Sequence, residues 1–457
     1  MNFANQSVLV IGLAKSGVAV AKLLHQLHAH VVVNDQSPRE KVAREAEELE
    51  ALGVQVITGG HPLELVDHCD ILVKNPGIRY DQPQILRALA RGIPVLTEVE
   101  VAAQVIRAPI IGITGSNGKT TTTTLVGEML RTSQLPVTVA GNIGTPLSAV
   151  ASAVFAKQQH VVVELSSFQL QGTVTFHPHI AAWLNLYPAH LDYHGNLDNY
   201  REAKRKIFAN QGLDDLSILN RDQEVFSEIA KTLQSKVWWV SLEQKVEFGA
   251  YIENDWLMLS APLQGQSIPT VIAILPIDQI VLRGRHNLQN ALFASAIAFA
   301  AGASPDAIRT TLTSFAGVAH RMEFVREVDG IKFINDSKAT NPQAALQAIG
   351  SFTEPIVGIL GGLDRGDDLS PLAAAVREHM KAVVTIGQSG ERMAELARSV
   401  GVPVVKRVQT LEEAVQLAKN LAVAGDVVLL SPAAASWDMF ASFEERGRIF
   451  KEAVHML

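Results

Sequence analysis

The sequence predicts an α/β protein built from three consecutive blocks of mostly parallel sheet. Short apolar runs alternate with amphipathic helical stretches along nearly all 457 residues, which is the pattern of βαβ units. Apolar residues make up 47% of the chain, so it has enough apolar side chains to fill several cores. We place the blocks at residues 1–97, 98–303 and 304–457.

The first block predicts a Rossmann-like domain. "SVLVIG" reads as a strand, and the helix after it has apolar residues at the i, i+3, i+4 and i+7 spacing of one buried face, namely Val20, Leu23, Leu24 and Leu27. The runs "HVVVND", "VQVI", "DILVKN" and "IPVLT" continue the series of strands.

The turn "GLAKSG" after the first strand is similar to a dinucleotide-binding turn, G-x-G-x-x-G, with Ala14 at the middle glycine. Asp35 ends the second strand, where a ribose-binding acid would lie. This pattern favours a phosphate-binding turn for some nucleotide without establishing a nicotinamide cofactor. A nicotinamide-dependent dehydrogenase therefore stays open as one alternative function, although Ala14 weakens it.

The second block opens with a strand, a glycine-rich loop and a helix, "PIIGITGSNGKTTTTTL". Backbone N–H groups at such a turn, together with the helix dipole, form an anion cradle. Gly115 and Gly118 let the backbone approach phosphate, Lys119 reaches the β- and γ-phosphates, and the Thr120 hydroxyl is placed for Mg²⁺. Five residues separate Gly112 from Gly118, so the loop is not a strict Walker A sequence. We expect a P-loop ATPase-like central domain.

Polar side chains follow two later strands of this block. "HVVVELS" ends in Glu164, a carboxylate that is suited to Mg²⁺ beside a phosphate loop. "IAAWLNL" is followed by His190, Asp192 and His194, which are either a site or ordinary loop residues, since their spacing matches no zinc motif. Lys204, in "YREAKRKIF", reads on its own as a solvated lysine of a basic amphipathic helix.

The end of the second block predicts a buried helix. "GRHNLQNALFA" places Asn287 and Asn290 on one face near the helix start, where capping is the simple alternative to ligand binding. The apolar run at 291–303 is too short to span a bilayer.

The third block predicts a second Rossmann-like domain with five strands, "IKFIND", "PIVGILGG", "AVVTIG", "VPVVKRV" and "DVVLLSP". Asp336, Ser337, Lys338 and Thr340 follow the first of these strands. "GGLDRGDD" and "LSPAAASWDMF" occupy two further strand ends, so three polar loops converge on the edge where parallel sheets bind ligands.

The composition limits the kinds of molecule that we expect the protein to bind. The net charge of −7 is mild and argues against a nucleic-acid binder, which normally carries a basic face, and the single cysteine, Cys69, excludes an intramolecular disulfide. The N-terminus runs directly into a strand and does not resemble a signal peptide. We expect a cytoplasmic protein, monomeric, with neither nucleic-acid nor membrane partners. A nucleotide-switch protein is a second alternative, but the guanine-reading sequence N-K-x-D is absent.

Taken together, these motifs resemble the Mur ligases, the ATP-dependent enzymes that form amide bonds in peptidoglycan precursor synthesis. The loop "TGSNGKTT" is shared with the folylpolyglutamate synthases, which lack an N-terminal block of this kind. "INDSKATNP", "GGLDRG" and "LSPAAASWDMFASFEERG" are similar to loops of the members that add D-glutamate. The resemblance covers essentially the whole chain.

The resemblance implies one ligand for each block, with the third block closing on the second. The first block would bind the uridine diphosphate of UDP-N-acetylmuramoyl-L-alanine, through Lys15, Ser16, Asp35, Gln36, Asn75 and Gly77, with Asn142 at the far end of this substrate. ATP would contact Gly115, Ser116, Asn117, Gly118, Lys119, Thr120, Thr121, Asn290, Arg321 and Asp336. D-glutamate would lie among Lys338, Thr340, Arg365, Ser436 and Phe443.

The resemblance also implies the catalytic groups, Lys119, Glu164, His190 and Lys204. Two Mg²⁺ ions are expected, one on Thr120 and Glu164 and a second near His190. At the position of Lys204 the family carries a lysine carbamylated by CO₂, which would act as a carboxylate-like group near the second ion. The reaction implied is phosphorylation of the substrate carboxylate, followed by attack of the D-glutamate amine.

Overall fold

Three β-sheets organise the chain in this computed structural model, which describes residues 2–154, 159–262, 268–282, 284–315 and 317–457. Two of the sheets belong to one unit, Met1–Phe315, and the third belongs to another, Ala316–Leu457. Apart from two strand pairings in the second sheet and one in the third, neighbouring strands run parallel. The predicted α/β architecture is confirmed.

The first sheet has the strand order β3-β2-β1-β4-β5 and is parallel throughout. Its strands are β1 to β5, at Ser7–Ile11, His30–Asp35, Gln55–Thr58, Ile71–Lys74 and Val95–Leu96. Its helices and the connecting helix are α1 to α4, at Lys15–Gln26, Ala43–Glu50, Pro83–Ala90 and Glu98–Val105. The five strands predicted for the first block are all present.

The second sheet has the order β14-β13-β12-β11-β10-β9-β6-β8-β7. Its strands are β6 to β14, at Ile110–Thr114, Val137–Gly141, His160–Glu164, Ile180–Trp183, Leu216–Asn220, Lys236–Ser241, Gly249–Glu253, Trp256–Pro262 and Pro269–Pro276. The helices of this part are α5 to α12, at Lys119–Thr132, Leu147–Val154, Ser167–Gln171, Leu191–His194, Leu197–Arg205, Glu224–Ala230, Arg285–Ala300 and Pro305–Ser314.

The third sheet has the order β15-β16-β20-β17-β18-β19. Its strands are β15 to β20, at Glu323–Val328, Ile331–Asn335, Ile356–Gly361, Met380–Ile386, Val404–Arg407 and Val427–Leu430. The helices are α13 to α17, at Pro342–Ile349, Ala373–His379, Gly390–Ser399, Leu411–Leu421 and Phe443–His455. Short 3-10 turns occur at Arg39–Lys41, Leu63–His68, Lys206–Phe208, Ile277–Gln279 and Ser370–Leu372.

The core follows the apolar runs of the sequence. The buried faces of β6, β8 and β9 pack against α5 and α11, and α11 is buried along most of its length, as its composition predicted. Within the described residues, none of the helices has the length and apolar character needed to cross a membrane.

Two features of the chain were not anticipated. Strand β15 pairs antiparallel with β16 at the sheet edge, and its mixed polar sequence "EFVREV" carries no continuous apolar run. Helix α12 packs against α5 and α11 and belongs to the first unit, whereas the predicted boundary at 303/304 assigns it to the third block.

Candidate active site

The phosphate loop has the backbone geometry that its glycines predict. Strand β6 ends at Thr114 and α5 begins at Lys119, with Gly118 between them in the left-handed region at φ 79°. A Cβ atom on Gly118 would lie 2.1 Å from Oδ1 of Asn290 on α11. A side chain at this position would therefore strain the backbone and displace Asn290, which lies against the loop; its contact with ATP stays a prediction.

Asn185 fixes the loop, and sequence reasoning did not identify it. The Asn117 N–H donates to Asn185 Oδ1 at 2.9 Å, and Asn185 Nδ2 donates back to the Asn117 carbonyl at 3.2 Å. The Ser116 N–H donates to the Asn185 carbonyl at 3.1 Å. The available signal was an asparagine two residues after the buried strand "IAAW", the neighbour of β6 in the sheet.

Lys119 lies over the loop that it follows. Its Nζ donates to the carbonyls of Gly115 and Ser116, both at 2.9 Å. These bonds hold a cation at the N-terminus of α5, where backbone N–H groups already favour an anion. The arrangement suits a polyphosphate.

Glu164 ends β8, which is hydrogen-bonded to β6, and its register partner is Ile113. The side chain is 2% exposed. Asn142 Nδ2 donates to Glu164 Oε1 at 2.9 Å, whereas Oε2 is buried without a hydrogen-bond partner. An uncompensated buried carboxylate oxygen is costly, so this atom calls for a cation.

Lys204 corrects the interpretation made from its local sequence. It is 1% exposed, not solvated, and lies under the phosphate loop. Its Nζ donates to the Gly115 carbonyl at 2.8 Å and to Thr114 Oγ1 at 3.3 Å. Burial, reinforced by the nearby charge of Lys119, places the pKa of Lys204 well below its ordinary value. Burial thus shifts the balance of this side chain toward the neutral amine.

His190 lies in an aromatic cluster beside this loop. Its backbone is left-handed, φ 54°, directly before α8, which is uncommon for a residue other than glycine. The Phe168 ring lies 5.0 Å from the His190 ring and 5.4 Å from that of His194. His194 is buried and shares a hydrogen bond of 2.9 Å with Ser167 Oγ, while the side chain of Asp192 lies outside what the structure describes.

The residues present fit Mg²⁺ with ATP rather than a metal held by protein alone. The described part of the chain contains no group of three or more His, Cys, Asp or Glu side chains arranged for a metal ion. Mg²⁺ in nucleotide sites takes only one or two carboxylates and completes its shell with phosphate and water. The free oxygen of Glu164 supplies such a carboxylate.

The first sheet carries a second glycine turn, between β1 and α1. Gly12 has φ 102°, and a Cβ there would lie 2.4 Å from Asn75 Nδ2. Ser16 Oγ donates to Asn75 Oδ1 at 3.2 Å. Asp35 accepts from the N–H groups of Leu13 and Ser37, both at 2.7 Å, so its carboxylate shapes the turn.

The remaining residues expected at this turn lie around it. Lys15 is the first residue of α1 and is exposed, and Gln36 directly follows β2 and is exposed. Gly77 is exposed in the loop after β4, two residues beyond Asn75. The strand ends of β1, β2 and β4 thus meet at one edge, where open parallel sheets bind ligands.

The second unit brings together the polar loops of the third sheet. Asp336, after β16, accepts from Ser431 Oγ at 2.9 Å and from the Met322 N–H at 3.2 Å. Burial raises the pKa of Asp336 to about 6. Arg321 is exposed one residue before Met322.

The residues expected around D-glutamate belong to the same loops. Lys338 Nζ lies 5.8 Å from the centre of the Phe443 ring, at the start of α17. The Thr340 N–H donates to the Lys338 carbonyl at 2.9 Å. Ser436 is 2% exposed, and Arg365 is exposed, with its guanidinium 4.7 Å from the neighbouring Trp437 ring.

Arg446 organises these loops and was not predicted. It is fully buried on α17, and its guanidinium donates to Ser337 Oγ at 3.0 Å, to the Ser337 carbonyl at 2.9 Å and to the Ala434 carbonyl at 3.1 Å. Burial lowers the pKa of Arg446 to about 10. In the sequence it stands among charged helix residues, "FEERGR", and nothing marks it as buried.

Known families match all three parts of the chain. The model described as "Mur ligase MurD-like, N-terminal domain" matches residues 6–97. "Mur ligase middle domain" matches 113–298, and "Mur ligase, glutamate ligase domain" matches 320–434. The UDP-N-acetylmuramoylalanine--D-glutamate ligase of Bacillus subtilis is 46% identical over 457 residues, spanning 99% of this chain and 98% of that protein. The chain belongs to the Mur ligase family. The Bacillus mycoides protein of the same name is 47% identical over 458 residues, which cover 100% of this chain and 98% of the relative.

Solved Mur ligases share the fold of this family member. The UDP-N-acetylmuramate-alanine ligase MurC of Thermotoga maritima superposes with a TM-score of 0.57 at 20% identity, covering 99% of this chain and 100% of that one. MurF of the same organism, solved in complex with ADP, gives a TM-score of 0.55 at 15% identity, covering 93% and 95%. Both likenesses concern the fold alone.

Proposed function

We propose that this Mur ligase joins D-glutamate to UDP-N-acetylmuramoyl-L-alanine at the expense of ATP, in peptidoglycan precursor synthesis. The observation that carries the ATP-dependent step is the buried, unpartnered Oε2 of Glu164 on the strand beside the phosphate loop. The choice of D-glutamate is supported by the names of the full-length relatives.

The phosphate loop and Lys119 perform the first step. The loop N–H groups hold the β-phosphate, and Lys119 neutralises the γ-phosphate while the L-alanyl carboxylate attacks it. A bond forms between carboxylate oxygen and phosphorus, and the bond from phosphorus to the β-phosphate oxygen breaks, giving an acyl phosphate and ADP. Two anions approach each other in this step, so cations at this point lower the barrier.

In the second step the D-glutamate amine attacks the acyl carbon. A carbon–nitrogen bond forms, phosphate leaves, and the nitrogen loses a proton. Lys338 and Arg365 are the cationic side chains proposed to hold the D-glutamate carboxylates. Thr340, Ser436 and Phe443 are the further residues proposed for D-glutamate, and Arg321 and Asp336 are residues proposed for ATP.

Mg²⁺ supplies charge neutralisation of the transferred phosphate when it is bound. Thr120 and Glu164 are the proposed holders of one ion. His190 is the proposed holder of a second. Asn142, through its bond to Glu164 Oε1, keeps the free oxygen of that carboxylate turned away from the amide.

Carbamylation of Lys204 is part of the proposal. CO₂ adds only to a neutral amine, and burial, which lowers the pKa of Lys204, favours that form in a site closed to bulk water. The carbamate would place a second anionic group near Glu164 and the phosphate loop. The uncharged form of Lys204 also avoids a repulsive contact with Lys119.

Phosphate release from ATP tests the proposal with purified protein and Mg²⁺. Release should require UDP-N-acetylmuramoyl-L-alanine and D-glutamate together. ATP turnover that is indifferent to both compounds would refute the ligase assignment. Hydride transfer to a nicotinamide would favour the dehydrogenase alternative instead.

A further inference from the structure

Lys74 is a buried cation for which the proposed mechanism has no use. It is the last residue of β4 and is 1% exposed. Its Nζ donates to the carbonyls of Pro76 at 3.2 Å and Ile78 at 2.9 Å, and to the Tyr193 hydroxyl at 3.2 Å. An ammonium group has three donors, and these acceptors use all of them. Burial lowers the pKa of Lys74 to about 7.

On one side, Lys74 holds the loop after β4, which packs against the glycine turn of the first sheet. Asn75, the next residue, donates its N–H to the Ile11 carbonyl at 2.9 Å and accepts from Ser16 Oγ. The same asparagine packs on Gly12 so closely that no side chain fits there. A shift of the loop after β4 therefore changes the wall of the turn proposed to bind the diphosphate.

On the other side, Lys74 contacts the segment that carries His190. Tyr193 lies in α8, which begins directly after His190, and its hydroxyl donates to the Ile78 carbonyl at 3.0 Å. The Phe168 ring packs edge-on against Tyr193 at 4.4 Å and lies 5.0 Å from His190. Lys74 and Tyr193 thus join the edge of the first sheet to the aromatic cluster of the second.

We propose that Lys74 is a positioning residue that couples the two substrate sites, so that binding of UDP-N-acetylmuramoyl-L-alanine and binding of Mg–ATP strengthen each other. The inference rests on the proposed function. The Lys74–Tyr193 contact holds the His190 segment in one position relative to the glycine turn. A ligand that orders one of these two segments therefore also orders the other. The second ligand then binds a site that is already ordered.

Binding measurements test the coupling. The dissociation constant of UDP-N-acetylmuramoyl-L-alanine is measured by calorimetry with and without Mg²⁺ and a non-hydrolysable ATP analogue. We expect the analogue to tighten binding by at least about fivefold in the wild type. Lys74→Met and Tyr193→Phe should each reduce this ratio to near one. The double variant should reduce it no further, because both changes remove the same contact.

The Tyr193→Phe variant removes a single hydroxyl, so it decides the test if Lys74→Met does not fold. Tyr251→Phe, at a buried tyrosine on β12, is the matched control and should keep the wild-type ratio. An unchanged ratio in folded Tyr193→Phe would overturn the inference, as would a wild-type ratio of one. Either result would leave the proposed function intact if the wild type forms product, whereas absence of product would overturn that function.

Discussion

At the residue scale, Glu164 could be proposed as a site residue from its local sequence, whereas Lys204 could not. Glu164 was predicted from sequence because an acid that ends a buried strand beside a phosphate loop has few other roles. Lys204 could not be assigned from its own helix, since "YREAKRKIF" has the composition of a solvated surface. Its burial depends on the position of the phosphate loop, which is distant in sequence, and only the family resemblance singled it out.

Glu164→Gln should lower activity without lowering stability. The exchange removes a buried charge whose second oxygen has no partner, so the free energy of unfolding should stay the same or rise. The rate of phosphate release should fall by about a hundredfold or more, because the carboxylate no longer holds a cation. Chemical denaturation and steady-state kinetics measure the two effects. Glu128→Gln, at a partly exposed residue of α5 whose surface ion pair with Arg131 contributes little to stability, should change neither.

Lys204→Ala should lose at least about a hundredfold in kcat through loss of the carbamate and its charge. Added formate or acetate should restore part of the activity, since a small carboxylate fits the space that the side chain vacates. Removal of CO₂ from wild-type preparations should lower activity reversibly. Normal turnover of Lys204→Ala in CO₂-free buffer would show that no carbamate is used.

Lys74 should make stability depend on pH. Its pKa is about 7 in the folded protein and about 10.4 when unfolded, so between these values the unfolded chain binds more protons. The free energy of unfolding of the wild type should therefore rise from about pH 7 to about pH 10, relative to Lys74→Met, by up to about 1.4 kcal/mol per pH unit. Denaturant titrations at several pH values measure this difference. A difference that falls with pH would mean that the ammonium form is favoured by the fold.

At the element scale, strands and their ends were predictable, whereas the contacts between elements were not. Each buried strand is a continuous apolar run, and the loop from β6 to α5 follows a local rule of backbone geometry. Asn185, Arg446 and Tyr193 each hold a loop in place by hydrogen bonds. Each lies on or next to a strand or helix that neighbours this loop in space but is remote from it in sequence. Strand β15 was missed because an edge strand with one exposed face lacks the apolar run of a central strand.

Gly118→Ala tests the geometry of the phosphate loop. The left-handed backbone costs about 1–2 kcal/mol for alanine, and the new methyl group would also clash with Asn290. We expect the KM for ATP to rise by about tenfold or more, since the loop N–H groups turn away from the phosphate. Gly53→Ala is the control, because Gly53 has φ 85° with open space around it and lies outside the site. It should lower stability without changing the KM.

At the scale of the whole molecule, the order of the domains explains why two nucleotide-type folds occur in one chain. The first sheet presents a glycine turn without a working dinucleotide sequence, and the second presents a loop, a lysine and a free carboxylate oxygen suited to Mg–ATP. The third sheet gathers Lys338, Arg365 and Asp336 at its own edge. A ligase that activates one substrate with ATP and attacks it with another requires three such sites.

The sequence predicted this division because each sheet carries its polar residues at the carboxyl ends of its strands. Physical chemistry applied to the sequence did not by itself predict which amino acid is added. The residues proposed for D-glutamate lie mostly on loops after β16, β17 and β20, and the prediction of D-glutamate came from the resemblance of these loops to known ones.

An amino-acid panel tests the central claim most directly. The protein is incubated with ATP, Mg²⁺, UDP-N-acetylmuramoyl-L-alanine and one amino acid at a time. The products are separated, and their masses are measured by mass spectrometry. D-glutamate should give a product heavier by one glutamyl residue, with one ADP and one phosphate released for each amide bond. L-alanine, L-lysine and L-glutamate should give none. Incorporation of another amino acid in place of D-glutamate would contradict the account.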